Sequence, residues 1–336
     1  MKKLIFTAYS LDFGGIEKAL LALLNNIDYT KYEVTLLLEK KEGVFINQVP
    51  FQVIVKEYKV SNFKIPIIRK IINRLKLITT IALNYNKYDF SCCYAPYCIP
   101  TSILARYFSK NNTIWLHSDY YYLYNEDLNK IRNFFNARSI TLFKHIVFVA
   151  NEAKEHFLEI YPILMNRTTV CNNMIDYETI IKLSMDRVEQ KPNKTLFLNV
   201  SRHEEHAKKL TRLIESAKKL KDDKYDFEIW MIGSGPDTSL YEELIDNLDL
   251  KDNIKMLGSK QNPYPYYKMA DAFVLTSEYE GFPVVYLESL AFNLPIITTI
   301  DVSDDTLSIK EKFGILIDKS TDGVYNGMKQ YYNSGL

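Results

Sequence analysis

Apolar runs of strand length alternate with amphipathic helical stretches along the whole chain. KLIFTAY opens the series, a Gly-Gly loop follows, and IEKALLALLNNI then carries apolar residues at helical spacing. EVTLLLE, FQVIVKEY, FSCCYA, TIWLH and HIVFVA predict further strands, with helical patterns between most of them. This alternation predicts parallel sheets joined by right-handed crossovers. The polar stretch SMDRVEQKPNK, 184–194, breaks the series. It restarts with TLFLNVS, a helix over 207–220, FEIWMIG, a helix near 238–248, IKMLG, AFVLTS, a helix after Pro283, PIITT and GILID. The expected class is α/β: two doubly wound parallel-sheet domains, 1–184 and 194–336, joined by a linker at 185–193. Such sheets bind ligands beyond the carboxyl ends of their strands. With two domains facing a central cleft, that cleft is the expected site.

The 336 residues suit two such domains. A net charge of +1 argues against a nucleic-acid partner. Cys92, Cys93, Cys98 and Cys171 form no CxxC and sit at no zinc spacing with histidine, so they read as buried thiols of a reducing compartment. MKKLIFTAYSLDFGG is too short in its apolar part for a signal peptide, and Asp12 interrupts it. No apolar stretch approaches the ~18 residues of a spanning helix. The expected location is cytoplasmic.

Candidate chemistry clusters where strands end. In TAYSLDFGGIEKALLALL, Gly14 and Gly15 precede a helix whose free N–H groups suit a ligand, although a tight turn explains them equally. In WLHSD, His117 and Asp119 lie just past a strand. In NVSRHEEHAKKL, Arg202 and Lys208 can both reach a strand end, with Lys209 as a further cation. Such residues hold phosphate, or are solvated surface charges. The Gly-Ser-Gly turn at 233–235 is a weak dinucleotide signal, because Thr238 stands where a third glycine belongs. Gly233 can still approach a base or phosphate.

SEYEGFPVVYLESLAFNLPI, 277–296, is the most specific stretch. Glu280 lies in the loop after a strand, and Pro283 suits the first helical position. Gly281 and the helix N-terminus would then face a ligand. Glu288 falls on the core-facing stripe with Val284 and Ala291. A carboxylate there is costly unless hydrogen-bonded. Vicinal hydroxyls of a ribose would satisfy it, and so would a neighbouring helix end or an internal ion pair.

Taken together, these segments resemble the retaining family 4 glycosyltransferases of GT-B architecture, built from two Rossmann-like domains. EGFPVVYLE matches that family's glutamate–seven residues–glutamate motif, and SRHEEHAKK resembles its Gly-Arg…Lys segment with Ser201 for glycine. DFGGIEKALLALL resembles its N-domain glycine loop, VCNNMID the segment closing that domain, and GSKQNPYPYYKMADAFVLTSEYEGFP the bacterial surface-polysaccharide subset. The resemblance implies that Glu288 binds the ribose of a nucleotide-sugar, and that Arg202 and Lys208 hold the diphosphate and stabilise it as it leaves. It implies that Glu280 contacts the donor sugar with the backbone of Gly281, Phe282 and Pro283. Gly15 would approach phosphates or acceptor, and His117 would line the sugar pocket near the anomeric carbon. No cofactor or metal is implied. SDD at 303–305 is the nearest Asp-rich candidate and reads as a surface turn. The C-terminal tail reads as shorter than is usual for the family.

The implied activity is transfer of a hexose, by preference from a UDP-sugar, to a lipid-linked or growing glycan. Rival readings are a GDP-sugar-dependent transferase, and an inactive nucleotide-sugar-binding or scaffold subunit. The segment 62–89 carries Lys64, Arg69, Lys70, Arg74 and Lys76 among apolar residues. It predicts either a helix packed on its own sheet with a solvated basic side, or an interfacial helix on an anionic membrane.

Overall fold

The first apolar run forms β1 (Lys2–Ala8), and each later run of the first half adds a strand parallel to a neighbour. The computed structural model describes residues 1–301 and 314–334, so the SDD segment at 303–305 lies outside the described residues. After β1 come α1 (Gly15–Asn25), β2 (Tyr32–Leu38), β3 (Ile54–Glu57), α2 (Pro66–Asn84), β4 (Phe90–Cys93) and α3 (Ile99–Phe108). β5 (Asn112–Leu116), α4 (Tyr120–Leu123), α5 (Leu128–Ala137), β6 (His145–Phe148), α6 (Asn151–Ile160) and β7 (Thr168–Val170) complete this half. The sheet order is β3-β2-β1-β4-β5-β6-β7, with every pair parallel. The order reverses between β1 and β4, where the carboxyl ends open a crevice.

The second half opens with α7 (Tyr177–Leu183), then β8 (Thr195–Val200), α8 (Glu205–Lys208), α9 (Leu210–Asp222), β9 (Phe227–Ile232) and α10 (Thr238–Asn247). β10 (Ile254–Gly258), α11 (Tyr264–Met269), β11 (Ala272–Leu275), α12 (Val284–Ala291), β12 (Ile296–Thr298), β13 (Gly314–Leu316) and α13 (Thr321–Ser334) follow. This sheet runs β10-β9-β8-β11-β12-β13, again all parallel. Its switch point lies between β8 and β11. Leu210, Leu213, Ile214 and Ala217 of α9 pack with Phe197, Phe227 and Ile229 of the strands and with Val324 and Met328 of α13, forming one apolar core.

The chain divides into two compact units, Met1–Met174 and Ile175–Leu336. The division thus precedes the expected linker at 185–193. That polar stretch folds with the second unit, because Asn262 Nδ2 donates to Leu183 O and Asp186 Oδ2, both at 2.8 Å, and Tyr266 OH donates to Glu189. Lys191 pairs with Asp271. Among the described residues no helix is long and apolar enough to cross a membrane.

The helix expected over 207–220 begins at Leu210. Lys208 instead ends the short α8, and Lys209 breaks the two helices apart with a left-handed φ of +49°. Pro283 caps α12 rather than opening it.

Candidate active site

In the second unit, the loops after β8 and β11 are tied to each other. Glu278 N donates to Ala207 O at 2.8 Å, and Thr276 Oγ1 donates to Lys208 O at 2.8 Å. These bonds fix the backbone of Lys208 beside the strand end of β11. Its Nζ donates to Glu280 Oε1 at 2.5 Å, and Ser277 Oγ donates to the same oxygen at 2.6 Å. Both side chains of the ion pair are largely shielded, with exposures of 22% for Lys208 and 13% for Glu280. A pair so placed is held by charge and geometry together, and a strong anion arriving there meets an oriented ammonium.

Arg202 is not drawn into this pair. Its side chain is 68% exposed, and its guanidinium lies 3.6 Å from Glu204. Gly233 does approach a backbone closely, but the backbone is the chain's own. With φ at +147°, a Cβ there would lie 1.9 Å from Ser201 O, and one at Gly235 would lie 2.2 Å from His203 O. The Gly-Ser-Gly turn therefore allows the β9 end to pack against the loop after β8. Phe282, Pro283 and Val284 are buried at the start of α12, with Gly281 half-buried before them.

Glu288 is 1% exposed and finds its partners on α11. Tyr264 OH donates to its Oε1 at 3.2 Å and Tyr267 OH to its Oε2 at 2.9 Å. The burial that stood out in the sequence is thus met by two hydroxyls of a neighbouring helix. Burial and the carboxylate beside it push both phenols far above the ordinary tyrosine range, so they remain protonated donors.

In the first unit, Gly14 caps α1 and Gly15 is its first residue, exposed at the carboxyl end of β1. The Glu17 carboxylate folds back over this helix start, so that a Cβ at Gly14 would lie 2.1 Å from Glu17 Oε2. Burial raises the Glu17 carboxyl to about 7; its own backbone N–H opposes the rise, and Asp12 adds to it. His117 is buried beyond β5, 4.6 Å from the Tyr94 ring and stacked on Trp115 at 5.9 Å. Burial lowers its pKa to about 3, against weaker opposing effects of the Tyr94 backbone and the Asn173 side chain. The ring is therefore neutral at ordinary pH, and neither nitrogen makes a hydrogen bond of good geometry among the described residues. It can serve an incoming hydroxyl as donor or acceptor.

Several of these residues were not singled out in the sequence. Ser277, Tyr264, Tyr267, Tyr94 and Glu17 act through neighbours brought close by the fold. His156 is another: its Nδ1 lies 2.7 Å from Asp119 Oδ2, while Asp119 Oδ1 accepts from Tyr121 N and caps α4. With Glu152 these two form a group whose ligand atoms lie within 4.8 Å of one another. No spacing rule reveals it, because Asp119 and His156 sit on separate elements. For Glu17, the helix-start position next to Gly14-Gly15 was a signal available in the sequence.

Residues 182–325 match the family model described as glycosyl transferases group 1. The chain is 26% identical over 211 residues to an uncharacterized glycosyltransferase of Methanocaldococcus jannaschii, a match covering 60% of this chain and 52% of that protein. It therefore spans about half of that relative's length. It is 24% identical over 344 residues to the N-acetylgalactosamine-N,N'-diacetylbacillosaminyl-diphospho-undecaprenol 4-alpha-N-acetylgalactosaminyltransferase of Campylobacter jejuni, covering 98% of this chain and 90% of that one. Among solved structures, Anabaena HepE in complex with UDP-glucose superposes with a TM-score of 0.76 at 14% identity, covering 100% of this chain and 91% of that one. WaaG, a glycosyltransferase involved in lipopolysaccharide biosynthesis, does so at 0.67 and 12% identity, covering 99% and 91%. These two likenesses establish the fold.

Proposed function

We propose, of a chain that is a group 1 glycosyltransferase with the GT-B fold, that it moves a hexose from a nucleotide-diphosphate sugar to a lipid-linked or growing glycan with retention of configuration. A UDP-sugar is the preferred donor, and synthesis of a bacterial surface polysaccharide is the setting. The Lys208–Glu280 pair at the β8–β11 switch point carries this reading. Lys208 and Arg202 receive the diphosphate, and Glu280 exchanges part of its ion pair for hydroxyls of the donor sugar. Glu288, oriented by Tyr264 and Tyr267, takes the ribose hydroxyls.

In the transfer, the bond from the anomeric carbon to the phosphate oxygen breaks as the acceptor oxygen attacks from the same face. The acceptor proton passes to the departing diphosphate. Charge that builds on that group is stabilised by cations already in place, which is where preorganised electrostatics lowers a barrier. Because Lys208 and Arg202 supply this positive charge, the reaction as proposed needs no metal. His117, neutral and buried among aromatic rings, suits a sugar hydroxyl better than a phosphate. A lipid-linked acceptor would place the enzyme at the inner face of the cell membrane, with segment 62–85 as the contacting part.

Release of free sugar from UDP- and GDP-sugars, with wild type and Glu280→Ala compared, tests the reading. Donor turnover that survives Glu280→Ala unchanged would refute this assignment of the site. A wild-type protein that binds neither UDP nor GDP would refute the donor class.

A further inference from the structure

α2 is apolar on two sides, and only one of them packs. Leu77 and Ile81 on the inner side meet the cluster of Ile5, Leu37, Tyr58, Leu104 and Phe108. Asn73, on the same side, holds the preceding loop: its Oδ1 accepts from Ser61 N at 2.7 Å and its Nδ2 donates to Ser61 O at 3.2 Å. The opposite side faces water and is apolar too. Ile67, Ile71, Leu75 and Ile78 are 71%, 55%, 57% and 54% exposed, and Ile68 and Ile72 lie beside them. At about 100° per residue these six side chains share an arc of about 140°. A surface helix ordinarily places its polar residues on that arc. Here the polar residues border it instead, with Arg69 along one edge and exposed Lys70 and Arg74 along the other. Between Tyr58 and Tyr88 the sequence holds seven cations and no Asp or Glu, in a chain whose net charge is only +1.

We infer that the outer side of α2 is an interfacial membrane surface that takes an anionic lipid bilayer. The Ile67–Ile71–Leu75–Ile78 stripe enters the boundary of the acyl chains, while Arg69, Lys70 and Arg74 meet lipid phosphates. The helix lies in the plane of the membrane, since it is not apolar enough to span it. The border decides the occupant. Its charge is of one sign, so two copies packed stripe to stripe would bring like charges together, whereas anionic headgroups complement it. The inner packing through Leu77, Ile81 and Asn73 explains why the helix stays folded while its outer stripe remains available. For its purpose the inference rests on the transferase reading, since it brings that enzyme to a lipid-linked acceptor. Its geometry rests on α2 alone.

The test is sedimentation of the full chain with phosphatidylcholine vesicles, with and without phosphatidylglycerol. Wild type should pellet with the anionic vesicles at low salt and be released as salt rises. Ile71→Asp/Leu75→Asp should weaken this binding by roughly tenfold or more. Arg69→Glu/Lys70→Glu/Arg74→Glu should weaken it by roughly tenfold or more on anionic vesicles alone. These three cations are exposed, so the second variant carries the test if the first does not fold. Absence of wild-type sedimentation at low salt would overturn the inference, as would binding that neither variant alters. So would a lipid-free dimer, seen by analytical ultracentrifugation, that Ile71→Asp/Leu75→Asp dissociates. Thermal stabilisation by UDP, measured without vesicles, reports the donor site separately, so failure of one reading does not imply failure of the other.

Discussion

At its switch point the second unit sets Lys208 against Glu280, with Ser277 on the same carboxylate and Glu288 held by two tyrosines. The corresponding edge of the first unit holds aromatic rings, the neutral His117 among them, and a Glu17 that titrates near neutrality. Both edges arise from the same strand order, the first three strands running 3-2-1 and the fourth pairing with the first. Topology therefore fixes where a ligand can sit, and the loops at the carboxyl ends of the strands determine what charge it meets. The charged edge suits a group that gains negative charge. The edge around the neutral His117 suits hydroxyls.

The largest expected effect breaks the charged edge. Lys208→Ala should lower kcat for sugar transfer by about 10²–10³, as loss of one preorganised partner of a developing anion does. Steady-state transfer or donor hydrolysis measures it. Next comes the tyrosine-held carboxylate: Glu288→Ala removes the acceptor of two buried hydroxyls and should cost about 2–4 kcal/mol in urea unfolding. A loss below about 0.5 kcal/mol would mean that the Tyr264 and Tyr267 bonds contribute little.

The edge of the first unit responds to pH. His117 has a folded pKa of about 3, below its unfolded value, so its stabilising effect is complete above pH 6.5 and is lost as pH falls toward 3. Between pH 7 and pH 5 this amounts to about 2 kcal/mol, and His117→Phe should abolish that part of the acid loss. Glu17 gives the smaller effect, with the opposite slope. Its folded pKa is raised to about 7, so between its unfolded value and 7 the native state keeps a proton that the unfolded chain releases, and stability falls as pH rises. Glu17 is only partly shielded, so the fall should be about 1–2 kcal/mol, and Glu17→Gln should flatten it. Thermal unfolding across pH 4–8 reads both.

The strands, their parallel pairing and the residues at the strand ends were legible in the sequence, because strand-length apolar runs and helical spacing are local signals. Glu280 and Lys208 were both visible, yet not their contact, which spans 72 residues. Glu288 was recognised as misplaced on its stripe. Its tyrosine partners were not, because α11 reaches it only through the folding of β11 between them. α2 shows another limit. Periodicity marks the apolar positions of a helix with two apolar sides, but cannot say which side packs, and the side with Leu77 and Ile81 did. The linker expected at 185–193 was polar as read, but its side chains bond to the second unit.

Isothermal titration of UDP into the full chain tests the division of labour between the two edges most directly. Lys208→Ala should weaken UDP binding by about tenfold or more, the loss of a charge-assisted contact, while His117→Phe should leave it within about twofold. Equal UDP affinity in wild type and Lys208→Ala, or loss of UDP binding in His117→Phe, would contradict the account.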